Sequence, residues 1–339
     1  MFRRDVLKAG LGLAGLPLLG STFPAFAQER AVCYNCPAEW ANWASVLKAF
    51  QQKTGIFVPI DNRASGMALT SLIAEKQKPV ADFVYLGGQY GDQAKKAGVL
   101  APYKPNFWDE VPADLKDPDG YWTALHSGTL GLFVNTAALG GKPVPKRWAD
   151  LANPLYRGMV GYGEPTTAAH GYILAIAVNE ANGGSFDNFD PAIKFFQEVK
   201  KNDPILPKQT AYAQVLSGEI PIYVDFDFSA YRAKYADKGP IEFVIPEEGT
   251  VQFPYIAGTV AGGTHPEQGK KLFDFVLSDE GQRLWSLAYV RPVRTAAMDP
   301  AIAAQFLPAS EYARAKTVNL QKVSAAQPGF LARYQAEVR

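Results

Sequence analysis

The chain has 339 residues, with 34 Lys and Arg against 33 Asp and Glu and a formal charge of +1. So even a balance excludes nucleic acid or an anionic membrane surface as the main partner. A hydrophobic share of 47% without a low-complexity tract describes a fully folded chain, long enough for two lobes that each bury a core.

The first residues read as an export address. Arg3-Arg4 open a basic segment, Ala9 to Gly20 is small and apolar, and Ala25-Phe26-Ala27 is an A-x-A cleavage pattern before Gln28. The arginine pair, with Leu7-Lys8 behind it, fits a twin-arginine signal, although Sec signals can carry two arginines as well. The apolar run is shorter than the roughly 20 residues of a membrane span, and no cysteine at the cleavage point offers a lipid anchor. Residues 1–27 are expected to be a signal peptide. The remaining 312 residues (339 − 27) are expected to act in the periplasm.

Residues 30–34 read as a first strand. Cys33 and Cys36, the only cysteines, form a C-x-x-C there. In an oxidising compartment they can close a local disulfide. A thioredoxin-like redox centre needs them at the head of a helix in a small βαβ fold, and here Pro37 follows the second one. With two cysteines and three histidines, no zinc set is expected. Residues 39–53 place Trp40, Trp43, Val46, Leu47 and Phe50 on one helical face, and Gly55 stops the helix. Residues 56–60 read as a second strand. Ser65-Gly66 precede a helix over 67–77, and 81–86 is a third strand ending at Gly87-Gly88. This order predicts a parallel sheet whose loops gather at the carboxyl ends of its strands.

Residues 122–134 are strand-like but broken by Gly128 and Gly131, as suits a crossing between lobes. A second βα series follows: a short helix over 146–151, a strand over 158–163, and a helix entered through Thr166-Thr167. Then come a helix over 190–201, a helix over 212–217, a strand over 221–226, a helix over 229–235 and a strand over 241–246. Residues 251–260 return as an extended segment, with helices over 266–277 and 279–287 beyond it. The predicted fold class is α/β with two lobes, each a mainly parallel sheet flanked by helices. Two crossings join them, near 128–135 and 250–258. Lobe 1 is expected to be discontinuous, 28–130 and 255–339, and lobe 2 to span 131–254.

The order of local motifs over nearly the whole chain resembles the periplasmic solute-binding proteins of ABC importers, type 2 fold, in the branch that binds ferric ion, phosphonate, thiamine or polyamine. The resemblance is carried by Trp148-Ala149-Asp150-Leu151, by Gly218-Glu219-Ile220-Pro221, and by the stretch from Phe253-Pro254-Tyr255-Ile256-Ala257-Gly258 through Gly269-Lys270-Lys271-Leu272-Phe273-Asp274-Phe275-Val276-Leu277-Ser278. Glu280-Gly281-Gln282 and Arg291-Pro292-Val293-Arg294 continue it. The resemblance implies a monomeric protein without cofactor or catalysis that captures a small molecule between its lobes and delivers it to an inner-membrane permease. A sensor that shows its ligand to a receptor kinase would read the same. Ferric binders of the branch present adjacent tyrosines. No Tyr-Tyr pair occurs here, and the corresponding stretch is Asp225-Phe226-Asp227-Phe228-Ser229-Ala230-Tyr231.

Ser65-Gly66 and Thr166-Thr167 offer hydroxyls and free N–H groups at two helix starts, one per lobe, which suits an oxyanion. Ordinary N-caps use the same residues. Asp225 and Asp227, two apart on a strand, should face one side and call for a cation between them: a ligand amine, Arg63, Arg232 or a metal. Trp40, Tyr90, Tyr231 and Tyr255 are candidate aromatic walls. His126 lies at the first crossing, touching ligand or holding the hinge. Gly88, like Gly87, would let backbone approach a ligand. The expected ligand is a phosphonate or phosphate ester carrying an amine. Ferric iron is the alternative, and an exported C-x-x-C thiol–disulfide oxidoreductase is the alternative of another class; no G-x-S-x-G supports a hydrolase.

Overall fold

The computed structural model describes residues 29–38, 40–208, 211–294 and 297–338, so the expected export signal lies outside the described residues. β1 (Cys33–Tyr34) leads to α1 (Trp43–Thr54), α2 (Ser65–Ala74), β2 (Phe83–Gly87) and α3 (Gly91–Ala97). β3 (Leu100–Ala101) precedes the long β4 (Thr123–Asn135). Then come β5 (Val160–Gly161), α4 (Ala169–Ala181), α5 (Asp190–Lys200), α6 (Tyr212–Ser217), β6 (Ile222–Phe226), α7 (Asp227–Tyr231) and β7 (Ile241–Val244). β8 (Thr250–Val260) returns, followed by α8 (Pro266–Leu277), α9 (Asp279–Ser286) and β9 (Arg291–Pro292). α10 (Pro300–Ala303), α11 (Ala309–Tyr312), β10 (Ala315–Thr317) and α12 (Leu320–Glu337) end the described chain.

The fold is α/β, and its sheets are mixed rather than mainly parallel. β1 pairs with β2, and β5 with β6, in the expected parallel sense. The crossing strands run against them. β8 is antiparallel to β2 and β4, and β4 is antiparallel to β6 and β7. β4 changes partner within one step: Thr129 is opposite Gln252 of β8, and Leu130 is opposite Phe226 of β6. It does so without a break. A Cβ at Gly128 would lie 2.7 Å from the Phe228 ring, and one at Gly131 would lie 2.5 Å from the Phe243 ring. These glycines admit close packing by α7 and β7 rather than interrupting the strand.

Local pattern explains much of the rest. Trp43, Val46, Leu47 and Phe50 form the buried stripe of α1, which ends where Gly55, at φ 75°, returns its N–H to Gln51 O at 2.8 Å. Trp40 is not on that helix, because Ala41 and Asn42 take left-handed conformations ahead of it. The strand expected over 56–60 is reduced to isolated bridges, Arg30 with Phe57 and Cys36 with Asp61. Ile56 and Val58 face the core while Phe57 and Ile60 face solvent, as at a sheet edge with few partners.

α12 was not resolved by the sequence pattern. Its Phe330 ring packs 5.5 Å from Tyr172 and 5.1 Å from Phe189, and Tyr334 lies 5.1 Å from Phe196. Tyr172 Oη donates to Val323 O at 2.7 Å. Residues 320–338 therefore pack through Phe330 and Tyr334 on α4, α5 and the loop before α5, while Leu320 packs on Gly88, so the range 255–339 is not confined to lobe 1. Pro328 interrupts the amide ladder of α12, and the polar half before it reaches back to α3, where Gln93 Nε2 donates to Gln327 Oε1 at 3.3 Å.

Candidate functional site

Both sheets deliver side chains to the region around the crossing strands. On the lobe 1 side, α2 begins at Ser65 with Ala64 as its N-cap, and no side chain caps that end. The first-turn N–H groups of such a helix are orphans and its dipole favours an anion. Ser65 is buried. Its Oγ accepts from Asn35 Nδ2 and from Gly87 N, each at 3.0 Å. Gly66 carries no side chain, and a Cβ there would lie 3.3 Å from Tyr90 Oη. The end of α2, Tyr90 and the end of β2 are thus one neighbourhood.

An aromatic stack packs where β2, β4 and β8 meet. Tyr85 and Tyr255 stack at 5.3 Å, His126 stacks on Tyr255 at 5.4 Å, and Trp40 meets Tyr255 edge-on at 5.7 Å. Trp40 Nε1 donates to Tyr85 Oη at 3.1 Å, and Tyr85 Oη bonds His126 Nε2 at 2.8 Å. Burial pushes His126 down to about 3, so it is neutral, and its Nδ1 has no hydrogen-bond partner. His126 is thus a core group of the crossing strand. Trp40 also touches Phe228 of α7 edge-on at 5.1 Å, a contact between the two halves.

On the lobe 2 side, β6 delivers Asp225. Its Oδ1 accepts from Phe226 N at 2.8 Å, and Ser229 also donates to it. Among the described residues no Lys or Arg pairs with it. Burial raises its pKa from 3.8 to about 6 against those two hydrogen bonds. Asp225 lies close enough to Tyr255 and Tyr223 to raise both phenols, each already raised more by burial, and Tyr90 acts on Tyr255 in the same direction. Ser65-Gly66 and Tyr90 are thus one neighbourhood, and Tyr90 and Asp225 both act on Tyr255. Sequence reasoning weighed Tyr90 only as a wall and missed Asn35, Tyr85, Tyr223 and Ser229. Only Asn35 carried a signal, its position directly after β1; Tyr85 and Tyr223 lie inside β2 and β6, and Ser229 lies inside α7.

Several expected site residues lie elsewhere. β6 ends at Phe226, so the two-residue alternation stops there and Asp227 begins α7 facing another way. Its Oδ1 accepts from Thr129 N and from its neighbour Phe228 N, each at 3.0 Å. Its Oδ2 accepts from Tyr312 Oη at 3.1 Å and faces Arg291 Nε at 3.5 Å. Tyr231 Oη bonds Tyr312 Oη at 2.6 Å and accepts from Leu307 N at 3.0 Å. Asp227 and Tyr231 hold the crossing together. Gly88 packs under α12, where a Cβ would come within 2.9 Å of Leu320 Cδ2 and of Pro254 O. Thr166 Oγ1 donates to Glu164 Oε1 at 3.0 Å, and the N–H groups of Thr167 and Ala168 both go to Glu164 O. Thr167 is exposed, and α4 starts only at Ala169. These donors are spent within their own turn.

Cys33 and Cys36 are joined by a disulfide with Cα atoms 6.2 Å apart. Both are fully buried, Cys33 in β1 and Cys36 in a bridge to Asp61. Neither heads a helix, contrary to the requirement of a thioredoxin-like centre.

Two α/β halves joined by a pair of crossing strands, with a charged and aromatic seam between them, define a ligand-capturing protein of the hinge-closing, two-lobed class. The family model of bacterial extracellular solute-binding proteins matches residues 78–325, and the chain belongs to that family. It is 33% identical over 285 residues to an uncharacterised protein of Haemophilus influenzae, covering 80% of this chain and 78% of the other. It is 25% identical over 297 residues to a protein of Salmonella typhimurium provisionally named a 2-aminoethylphosphonate-binding periplasmic protein, covering 85% and 82%. Among solved structures it resembles the periplasmic binding protein AfuA of Actinobacillus pleuropneumoniae with fructose-6-phosphate bound (TM-score 0.79, 24% identity, 92% of this chain and 99% of that one). It also resembles iron-bound HitA of Pseudomonas aeruginosa (TM-score 0.72, 24% identity, 88% and 97%). The chain is a solute-binding component of an ABC transporter. Its named relatives are periplasmic, and no helix among the described residues is long and apolar enough to cross a membrane.

Proposed function

We propose that this protein captures a small zwitterionic oxyanion, an aminoalkylphosphonate or an amine-bearing phosphate ester, and hands it to an inner-membrane permease without chemical change. One observation carries the reading. Asp225 is a buried carboxylate with no cationic partner among the described residues, and it acts on Tyr255 together with Tyr90, the neighbour of the uncapped start of α2. An isolated buried charge is costly and calls for a partner. A ligand ammonium supplies that partner on the lobe 2 side while its oxyanion meets the N–H groups and Ser65 hydroxyl of lobe 1. Binding that uses both halves favours the closed form by its differential affinity. The Salmonella relative's name points to the same ligand class.

The arrangement differs from two converging helix ends. The anion grip belongs to lobe 1 and the cation grip to lobe 2, because the Thr166-Thr167 turn has spent its donors. Ferric iron is less well supported. Asp227 and Tyr231, two of the three oxygen donors such a reading would use, are engaged at the crossing.

Calorimetry with 2-aminoethylphosphonate, inorganic phosphate and ferric citrate tests the proposal. The aminophosphonate should bind at micromolar Kd or tighter. Asp225→Ala should weaken it by about 30-fold or more, the usual cost of truncating one side of a buried charge pair, and should leave inorganic phosphate nearly unchanged. Equal loss for both ligands removes the carboxylate–amine contact, and tight iron binding in place of phosphonate overturns the ligand class.

A further inference from the structure

The Ser65 hydroxyl has a hydrogen-bond balance that constrains what it can touch. A hydroxyl offers two acceptor positions and one hydrogen. Both acceptor positions are filled, by Asn35 Nδ2 and by Gly87 N. Ser65 is 5% exposed, and among the described residues no oxygen receives its hydrogen. The orientation of Asn35 is forced. The same Nδ2 lies 2.7 Å from Tyr85 O, a carbonyl that can only accept, so the amide nitrogen faces both partners and both of its hydrogens are used. Asn35 is itself buried, with a left-handed backbone at φ 63°, a conformation that Asn tolerates better than most residues. It is the second residue of the short loop closed by the Cys33–Cys36 disulfide, and Asp61 Oδ1 accepts its N–H at 3.2 Å.

We propose that Asn35, held in place by the Cys33–Cys36 disulfide, is a positioning residue that makes Ser65 a donor-only group. The lobe 1 end of the site then takes a group with free acceptor oxygens, such as a phosphonate or phosphate, and turns away an ammonium, which has only donors. The zwitterion therefore enters in one orientation, oxyanion on lobe 1 and amine on Asp225. The buried disulfide acts here as scaffold for the anion grip, with no redox turnover. This inference rests on the reading of Ser65 as an oxyanion contact.

Two experiments separate the parts. The first needs no ligand. In the oxidised full-length protein the Asn35 side-chain amide hydrogens should exchange slowly with solvent by NMR. In the Cys33→Ser/Cys36→Ser double variant they should exchange about tenfold faster or more, as local protection is lost. Unchanged exchange in a folded double variant overturns the disulfide's role, whatever the protein binds. The second is a double-mutant cycle on 2-aminoethylphosphonate affinity. Asn35→Gly keeps the left-handed backbone and removes the amide. It should cost about tenfold in the wild-type background, the scale of one hydrogen bond to a charged group, and almost nothing in a Ser65→Ala background. A merely structural Asn35 costs the same in both backgrounds, and that result overturns the proposal. Wild-type protein that binds no phosphonate or phosphate ester sinks the proposed function instead, while the exchange measurement still decides the link between disulfide and Asn35.

Discussion

Replacing Asp225 by Asn removes one charge and keeps the side chain's shape, and the consequences for stability and binding have opposite signs. Burial raises the Asp225 pKa from 3.8 to about 6 in the folded, ligand-free protein. Below pH 3.8 both folded and unfolded forms hold the proton, and the residue contributes no pH-dependent difference. Between pH 3.8 and about 6 the unfolded chain releases the proton while the folded one retains it, so stability falls as pH rises through that window. Above about 6 the penalty is constant. At about 1.36 kcal/mol for each tenfold change in acidity, the spread between the two values amounts to roughly 3 kcal/mol. The neutral amide carries no such penalty. In the ligand-free state Asp225→Asn should therefore be more stable than wild type at pH 7.5 by up to about 3 kcal/mol, or several degrees in Tm. The advantage should fade below pH 4. Urea denaturation at pH 4 and 7.5 measures it. Saturating 2-aminoethylphosphonate should cancel the advantage, because the ammonium then neutralises the wild-type carboxylate. A variant no more stable than wild type at pH 7.5, or equally favoured at both pH values, refutes the account of Asp225 as a charge kept without a partner for its ligand.

The same carboxylate predicts that wild-type affinity for an amine-bearing ligand declines as pH drops below about 6, because protonation removes the charge; titrations of wild type and Asp225→Asn in parallel isolate this from the ligand's own ionisation. Asp227→Ala should behave differently. It strands Arg291 and the Thr129 N–H at the crossing, costing about 3–5 kcal/mol as for other broken buried pairs, with little change in Kd for the fraction that remains folded, as read by denaturation and calorimetry. Gly88→Ala forces a methyl against Leu320 and Pro254 O and should cost about 1–3 kcal/mol by overpacking, with Kd unaltered; a Kd that rises with it would return Gly88 to the ligand site. Trp40 touches Phe228 across the two halves, so ligand-driven closure should change its fluorescence, and Trp40→Phe should abolish that change. An undiminished signal from the other tryptophans would place closure elsewhere.

The parts of the fold legible in the sequence are those with local causes. The stripe of Trp43, Val46, Leu47 and Phe50 and the stop at Gly55 predict α1 because helical spacing and a left-handed cap are properties of neighbouring residues. The two crossing segments were visible as unusually long apolar extended runs. The antiparallel pairing of β4 and β8 was not visible, because strand direction in a sheet is decided by which segments meet across more than a hundred residues. Asp225 and Asp227 show the same limit within the site. Their spacing implied a shared face, but the strand ended between them, and one became a buried carboxylate without a Lys or Arg partner among the described residues while the other became a link in the crossing.

By itself the sequence determined the family and the α/β character, and it nominated Ser65-Gly66 with Thr166-Thr167 as an anion grip and Asp225 with Asp227 as a cation grip; all of these rest on residue type and short-range order. Tertiary structure alone decided that Asn35 and Gly87 occupy both acceptor positions of Ser65, that Thr166 is spent on Glu164, and that α12 packs onto α4 and α5. A hydrogen-bonding group can serve a ligand only with the capacity its own protein leaves unused, and that remainder is set by neighbours distant in the chain.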